Sequence, residues 1–409
     1  MNFEEAKKLL ADYGQEHLLA YYNELSVEEQ ADLLGQISMI DFSVLKLAED
    51  KNHGVKKGKI EPLPGTYTLD MVAKEKDELE EIGLEAIRQC KVAAVLLAGG
   101  QGTRLGSDKP KGMYNIGLTK GVYIFEMIVR NLMQVVEKSG AWVPLLVMTS
   151  VKNHEDTTGF FKEHNYFGYN AEYVRFFIQD MAPSTDYNGK IYMEGKAKIS
   201  MSPNGNGGWF SSLMRSGLLN EIKRMGVEWL NVFAVDNVLQ KMADPVFVGG
   251  TIRSGYPSGA KVVGKAAPDE KVGVMCKEDG MPSIVEYYEL TEEMMYQKNP
   301  DGTPAYHYGV ILNYLFAIES LEKIANAKMP LHIVEKKIPY MDTDGNMVKP
   351  ESPNGYKFET LILDMIHMMD NCFSFEVDRR KEFAPIKNPT GVDSVESARE
   401  LLMENGIQL

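Results

Sequence analysis

Cysteine is scarce in this chain of 409 residues: Cys90, Cys276 and Cys372 stand far apart. They form no CxxC pair and no Cys/His ligand spacing, which excludes a disulfide framework or a structural zinc and points to a reducing, cytoplasmic setting. Positive charge is also in deficit, with 44 Lys and Arg against 58 Asp and Glu, a net charge of -14. That balance argues against a protein that wraps nucleic acid or coats an anionic membrane, while leaving room for a local cationic pocket. No apolar run approaches the roughly 20 residues that cross a bilayer, and the N-terminal Met1-Asn2-Phe3-Glu4 lacks the apolar core of a signal peptide. The seven histidines show no HExxH spacing, and neither internal repeats nor low-complexity segments occur. The chain reads as soluble and intracellular. Its 24 methionines are scattered among leucines and aromatics at core spacing, as gap-fillers of an interior rather than ligands for a soft metal.

Residues 1 to about 50 carry apolar positions at three- and four-residue intervals, with a capping box at Ser26-Val27-Glu28-Glu29, and predict helices. A connector is expected over 51–66 and a short charged helix over 69–89. From Val92 apolar runs alternate with helical segments. Strands are expected at 92–98, 143–149, 172–179 and 228–236, with helices over 122–138 and 157–164 between them. Strands apolar on both faces and separated by helices imply an α/β fold with a mixed, mostly parallel sheet flanked by helices. Turn signals between 260 and 290, Glu278-Asp279-Gly280 among them, suggest antiparallel hairpins near the sheet edge. The tail predicts a helix over 359–371 and a strand over 373–377. The expected division is an N-terminal helical segment (1–90), a catalytic core (91–348) and a short C-terminal lobe (349–409) completing the site.

The richest stretch is Leu96-Leu97-Ala98-Gly99-Gly100-Gln101-Gly102-Thr103-Arg104-Leu105-Gly106, followed by Lys109-Pro110-Lys111-Gly112. Glycines directly after a buried strand let backbone N–H groups approach an anion, as a phosphate cradle requires. A dinucleotide fingerprint would need glycine where Leu105 stands, and a Walker loop would need Ser or Thr where Gly112 stands. Both templates fail. What remains is a glycine-rich turn with a permanent planar cation, Arg104, and two compact ones, Lys109 and Lys111.

These residues, with Pro110-Lys111-Gly112-Met113-Tyr114, resemble the signature of the eukaryotic-type UDP-sugar pyrophosphorylases, nucleotidyltransferases of a Rossmann-like nucleotide-diphospho-sugar transferase fold. The branch that handles N-acetylglucosamine is the most similar. The resemblance implies that Ala98, Gly99, Gly100, Gly102 and Thr103 bind the nucleotide, and that Gln179 hydrogen-bonds the uracil edge. It further implies that Gly205 and Asn206, in Pro203-Asn204-Gly205-Asn206-Gly207, contact base and ribose, although Asn-Gly alone is most often just a turn. Asp236, at the end of an apolar strand, implies a ligand for Mg²⁺; as a bare residue it could equally cap a helix, and no second acidic ligand is assignable. Gly273 and Glu286 imply sugar contacts, and Lys387 a counter-charge to the phosphates, with Lys357 a weaker candidate. In place of the family's Asn-Ala-Gly-Asn-Ile the chain has His307-Tyr308-Gly309-Val310-Ile311, so Val310 replaces a sugar-contacting amide.

The implied reaction joins UTP and a hexose 1-phosphate, first of all N-acetylglucosamine 1-phosphate, into a UDP-sugar and pyrophosphate, with Arg104, Lys111 and Lys387 as catalytic cations and Mg²⁺ as cofactor. Neither nucleic acid nor membrane is expected as a partner. Three alternatives stay open: the same chemistry on glucose or galactose 1-phosphate, a UDP-sugar-dependent glycosyltransferase, and a non-catalytic nucleotide-binding protein. The second would rest on the only Asp-x-Asp sequence, Asp342-Thr343-Asp344.

Overall fold

A computed structural model of the chain describes residues 1–45, 57–325, 327 and 329–409. The first six positions of the connector expected over 51–66 therefore lie outside the described residues, as do 46–50 of the N-terminal helical segment. Contacts divide the chain into two units. One comprises Met1–Lys56, Asp180–Gly208 and Met329–Ile362, the other Lys57–Gln179, Trp209–Lys328 and Leu363–Leu409. Each of the linear segments 1–90, 91–348 and 349–409 thus contributes to both units.

The larger unit is built on a mixed ten-stranded sheet. Its strands are β1 (Ile60–Pro62), β2 (Val92–Leu97), β3 (Leu145–Thr149), β4 (Val174–Ile178), β5 (Trp229–Ala234), β6 (Ser258–Gly264), β7 (Val274–Glu278), β8 (Met281–Val285), β9 (Tyr308–Ala317) and β10 (Cys372–Glu376). Strands β5, β2, β3 and β4 lie side by side and parallel, with Ala234 opposite Leu97, Leu97 opposite Met148 and Thr149 opposite Ile178. β2 and β3 are buried at every position, which is why they read as unbroken apolar runs rather than alternating ones. β9 joins β5 in the opposite direction and pairs antiparallel with β6 and β7. The expected hairpin is present: β7 and β8 pair from Glu278–Met281 outward, around Asp279 and Gly280, both at positive φ as a type I′ turn demands. β6, inside the region expected to form hairpins, is instead a full sheet strand, antiparallel to β9 and parallel to β10.

Among the helices of this unit are α1 (Leu69–Arg88), α2 (Ile124–Ser139), α3 (His154–Glu163), α4 (Pro245–Ser254) and α5 (Val395–Glu404). α1 is twenty residues long, not short. It packs on α4 at backbone distance: a Cβ at Gly83 would fall 1.9 Å from the Pro245 carbonyl oxygen, and one at Gly249 1.8 Å from that of Leu79. The helix expected over 359–371 is shorter, Ile362–His367, because Glu359 closes a strand, Gly355–Glu359, paired with His332–Lys336.

In the smaller unit, helices Phe3–Asp12 and Val27–Met39 bury Leu10, Leu33 and Ile37 against Ile191, Met193 and Ile199. The capping box at Ser26 forms with Glu29 as read from the sequence. The Gln15 side chain, buried, donates to the Gly189 carbonyl at 3.0 Å and accepts from the Ile191 amide at 3.0 Å, which ties the N-terminal helices to the 180–208 segment.

Two glycine substitutions are expected to act with opposite sign. Gly249→Ala, which forces α1 and α4 apart, lowers unfolding stability by about 1–3 kcal/mol. Gly35→Ala, on a helical position with nothing within 4 Å of the new methyl, raises it by about 0.5–1 kcal/mol. Urea unfolding midpoints of the two variants check both signs.

Candidate active site

Parallel strands place their carboxyl ends on one edge of the sheet, and the loops leaving that edge are where open α/β sheets bind ligands. Here the loops follow Leu97, Thr149, Ile178 and Ala234. The loop after β2 is held from several sides. Ala98 donates to Met148 O at 2.8 Å, Gly102 N to Lys109 O at 2.9 Å and Lys111 N to Gly100 O at 3.2 Å, so the glycine turn folds back on itself as a closed ring. Its two single-turn helices, Thr103–Leu105 and Lys111–Met113, are separated by Gly106 in the left-handed region at φ 74°.

A buried asparagine that the sequence reading did not single out, Asn153, staples this loop to the next. Its side-chain nitrogen donates to Ala98 O at 2.9 Å and its oxygen accepts from Ser150 N at 2.7 Å. By position Asn153 looks like a cap for α3, yet its side chain makes no cap bond to that helix. Gln179 leaves β4 with its amide against Gly99, where a Cβ would stand 2.7 Å from the glutamine nitrogen. Glycine at 99 is thus required for this approach, and Gln179 is buried against the turn.

A cavity of about 310 Å³ opens at this edge, lined by Gly100, Gln101, Gly102, Thr103, Arg104, Leu105, Lys111, Asp236 and Lys387. The structure so brings together Arg104, Lys111, Asp236 and Lys387 from three distant parts of the chain. Lys111 Nζ stands 3.9 Å from Asp236 Oδ2. Burial pushes the Lys111 ammonium below the ordinary lysine range; Asp236 pulls the other way, and the nearby charges of Lys387 and Arg104 add to the lowering. Lys387 Nζ is 2.9 Å from Asp393 Oδ2. Lys109, the third cation of the turn, pairs instead with Asp156 at 3.2 Å and is half exposed.

Lys387 reaches the cavity because its segment is laid alongside the end of β5. Ile386 N donates to Asp236 O at 2.9 Å, and the buried Asn237 side chain donates to Glu382 O at 2.7 Å and accepts from Ala384 N at 2.9 Å. Behind this seam lies a fully buried lysine. Lys261 Nζ, on β6, contacts Asp244 Oδ2 at 2.7 Å and Glu382 Oε2 at 2.6 Å. Burial disfavours its charge, but the two carboxylates outweigh burial and hold Lys261 above the ordinary lysine value. The one sequence signal for it was a lysine inside the apolar run Ala260-Lys261-Val262-Val263.

The three residues read as sugar contacts also meet. A Cβ at Gly273 would lie 3.4 Å from Val310 Cγ2 and 3.5 Å from Glu286 Oε2, and Val310 N donates to Gly273 O at 2.8 Å. Because β9 runs antiparallel to β5, the start of β9 that carries Val310 lies toward the same sheet edge as Asp236. Gly205 and Asn206 belong to the smaller unit. There Gly205, at φ 70°, sits where a Cβ would be 2.2 Å from Thr360 O, and Asn206 Oδ1 accepts from Ile362 N at 2.9 Å. Lys357 lies on the Gly355–Glu359 strand of that same unit. Asp342 of the Asp-x-Asp sequence turns on itself, its carboxylate accepting from Asp344 N at 3.0 Å and Asn346 N at 2.8 Å.

Comparison with known proteins bears on the family and the fold. Residues 41–405 match the protein family described as UTP–glucose-1-phosphate uridylyltransferase. The UDP-N-acetylglucosamine pyrophosphorylase of Saccharomyces cerevisiae is 36% identical over 98% of this chain and 90% of its own. The human UDP-N-acetylhexosamine pyrophosphorylase-like protein 1 is 37% identical over 98% of this chain and 84% of its own. The crystal structure of the uridine diphosphate N-acetylglucosamine pyrophosphorylase of Trypanosoma brucei superposes with a TM-score of 0.84 at 28% identity, covering 98% of this chain and 84% of that one.

Lys261→Met removes one charge and strands two buried carboxylates, of which Glu382 retains Lys241 at 3.4 Å. The expected loss is about 3–5 kcal/mol of unfolding free energy, read by urea denaturation. A loss below about 1 kcal/mol would show that the triad does not hold the seam.

Proposed function

The chain belongs to the UTP–glucose-1-phosphate uridylyltransferase family, and from that premise we propose that it joins UTP to N-acetylglucosamine 1-phosphate, releasing pyrophosphate and UDP-N-acetylglucosamine. The observation that carries this reading is the convergence of Arg104, Lys111 and Lys387 on one cavity at the carboxyl edge of the parallel strands, in a chain whose net charge is -14. A cationic pocket in so acidic a protein suits a polyphosphate.

In the proposed step a phosphate oxygen of the sugar 1-phosphate attacks the α-phosphorus of UTP in line, the new P–O bond forms, and the bond to the β-phosphate oxygen breaks with its electrons going to pyrophosphate. An ionised phosphate is already a nucleophile, so no general base is required. Catalysis then comes from alignment and charge neutralisation. The backbone of Ala98, Gly99, Gly100, Gly102 and Thr103 cradles the nucleotide and Gln179 reads the uracil. Arg104 and Lys111 stabilise the leaving pyrophosphate, and Lys387 offsets charge at the α-phosphorus. Gly205 and Asn206 are the residues assigned to base and ribose, and Gly273, Glu286 and Val310 those assigned to the sugar.

Mg²⁺ is the proposed cofactor. Among the described residues no group of three or more His, Cys, Asp or Glu side chains is arranged to hold a metal. Mg²⁺ does not need one, because it keeps several waters and is commonly bound by one or two carboxylates together with substrate phosphates. Asp236, a lone carboxylate lining the phosphate cavity, fits an ion that arrives with the nucleotide. Bound there, the ion would supply further neutralisation of phosphate charge. The free thiols of Cys90, Cys276 and Cys372 fit a reducing cytoplasm. No described helix is long and apolar enough to cross a membrane.

Pyrophosphate release with UTP and a panel of sugar 1-phosphates tests the reading. N-acetylglucosamine 1-phosphate is expected to turn over fastest; a preference for glucose or galactose 1-phosphate would move the assignment along the family, and the apolar Val310 is where such a change would arise. Arg104→Ala and Lys111→Ala are each expected to lower kcat by about 10²- to 10³-fold. Wild-type turnover by either folded variant would remove it from the catalytic set.

A further inference from the structure

Lys387 is not a free cation. Its ammonium donates to Asp393 Oδ2 at 2.9 Å, and the backbone closes around the pair: Lys387 N and Asn388 N both donate to Asp393 O, at 2.6 and 3.0 Å. The Asn388 side chain adds a bond to Val392 O at 3.2 Å, and Val395 N returns to Asn388 O at 3.0 Å. Asp393 itself has φ 52°, a left-handed conformation that residues other than glycine rarely take and that Asp and Asn tolerate best. It directly precedes Ser394, the N-cap of α5, so the helix start fixes where the carboxylate stands.

The electrostatics give this contact a purpose. Three cations line the cavity. Lys111 has Asp236 at 3.9 Å, and Lys387 has Asp393. An ammonium has three N–H donors; one bond to Asp393 fixes it and leaves two for phosphate oxygens. Without a fixed partner, a four-carbon side chain that is two-fifths exposed would sample many rotamers, and the repulsion of Arg104 and Lys111 would favour those pointing away from the cavity.

We propose that Asp393 is a positioning residue for uridylyl transfer: it holds the Lys387 ammonium at the cavity wall, so that the cation meets the charge that develops at the α-phosphorus without first being ordered. This inference rests on the proposed role of Lys387. Asp393 touches no substrate and acts only through Lys387.

Steady-state kinetics of pyrophosphate release on the full chain test it, using Asp393→Asn, Lys387→Ala and the double variant. Asparagine tolerates the left-handed backbone and keeps the carbonyl that closes the loop, while removing the charge. Asp393→Asn is expected to lower kcat by about 10- to 100-fold with KM for UTP changed less than about two-fold, since a misplaced catalytic group costs turnover rather than ground-state binding. In the Lys387→Ala background the same substitution is expected to cost nothing further. A wild-type kcat for Asp393→Asn, or an equal loss in both backgrounds, would overturn the proposal, the second because it marks a merely structural effect. Wild-type turnover by Lys387→Ala would overturn the role of Lys387 as well, and is distinguishable because it requires no change at Asp393. Equal thermal midpoints for Asp393→Asn and the parent establish that the loop has kept its fold.

Discussion

A single lysine charge, sealed away from water on β6, sets the frame for the cavity edge of the larger unit. Lys261 can stay charged there only because Asp244 and Glu382 close on it, and each carboxylate belongs to a different element. Asp244 is the N-cap of α4, whose glycine contact with α1 brings two helix backbones together. Glu382 lies in the segment that runs on to Lys387. The triad therefore joins sheet, helix layer and C-terminal segment at one point. Such an arrangement adds little net stability over an apolar alternative, but misalignment of any member leaves a buried charge unpaired, which fixes one geometry against its neighbours.

From that point the site follows by backbone bonding. The Glu382 carbonyl takes the Asn237 side chain, Ala384 N returns to it, and Ile386 N closes on Asp236 O, so the end of β5 and the 384–387 segment are one seam. The opposite wall is the glycine turn after β2, fixed by Asn153. The two walls gather Arg104, Lys111 and Lys387 around one carboxylate, Asp236; burial lowers the Lys111 pKa, Asp236 opposes that, and the neighbouring cations add to the lowering.

Motif-bearing parts of this arrangement were legible in the chain. The strand-to-glycine turn, Arg104, Lys111 and the end of β5 at Asp236 are local: each is a run of neighbouring residues whose spacing follows backbone geometry. The β7–β8 hairpin was legible for the same reason, through Asp279-Gly280. Residues that act by long-range contact were not. No local motif marks Asn153 or Lys261, whose partners Ala98 and Glu382 are distant in the chain, and nothing in the sequence around Lys387 singles out Asp393. The helix expected over 359–371 misled because apolar spacing cannot show that Glu359 is claimed by a strand partner at His332.

Sequence by itself determined the parallel strands and the phosphate-type turn, because burial on both faces and glycine placement are written in consecutive residues; the family came from the resemblance of the motifs at 97–106 and 110–114. Only the tertiary structure decided which charges face one another: that Lys111 meets Asp236 while Lys109 is drawn off to Asp156, and that Lys387 is held by Asp393. It also decided that Gly273, Glu286 and Val310 meet at one place. The reason is physical. Coulomb and hydrogen-bond energies depend on separations of a few ångströms that spacing along the chain does not fix, whether the partners are 6 residues apart, as Lys387 and Asp393 are, or 47, as Lys109 and Asp156 are.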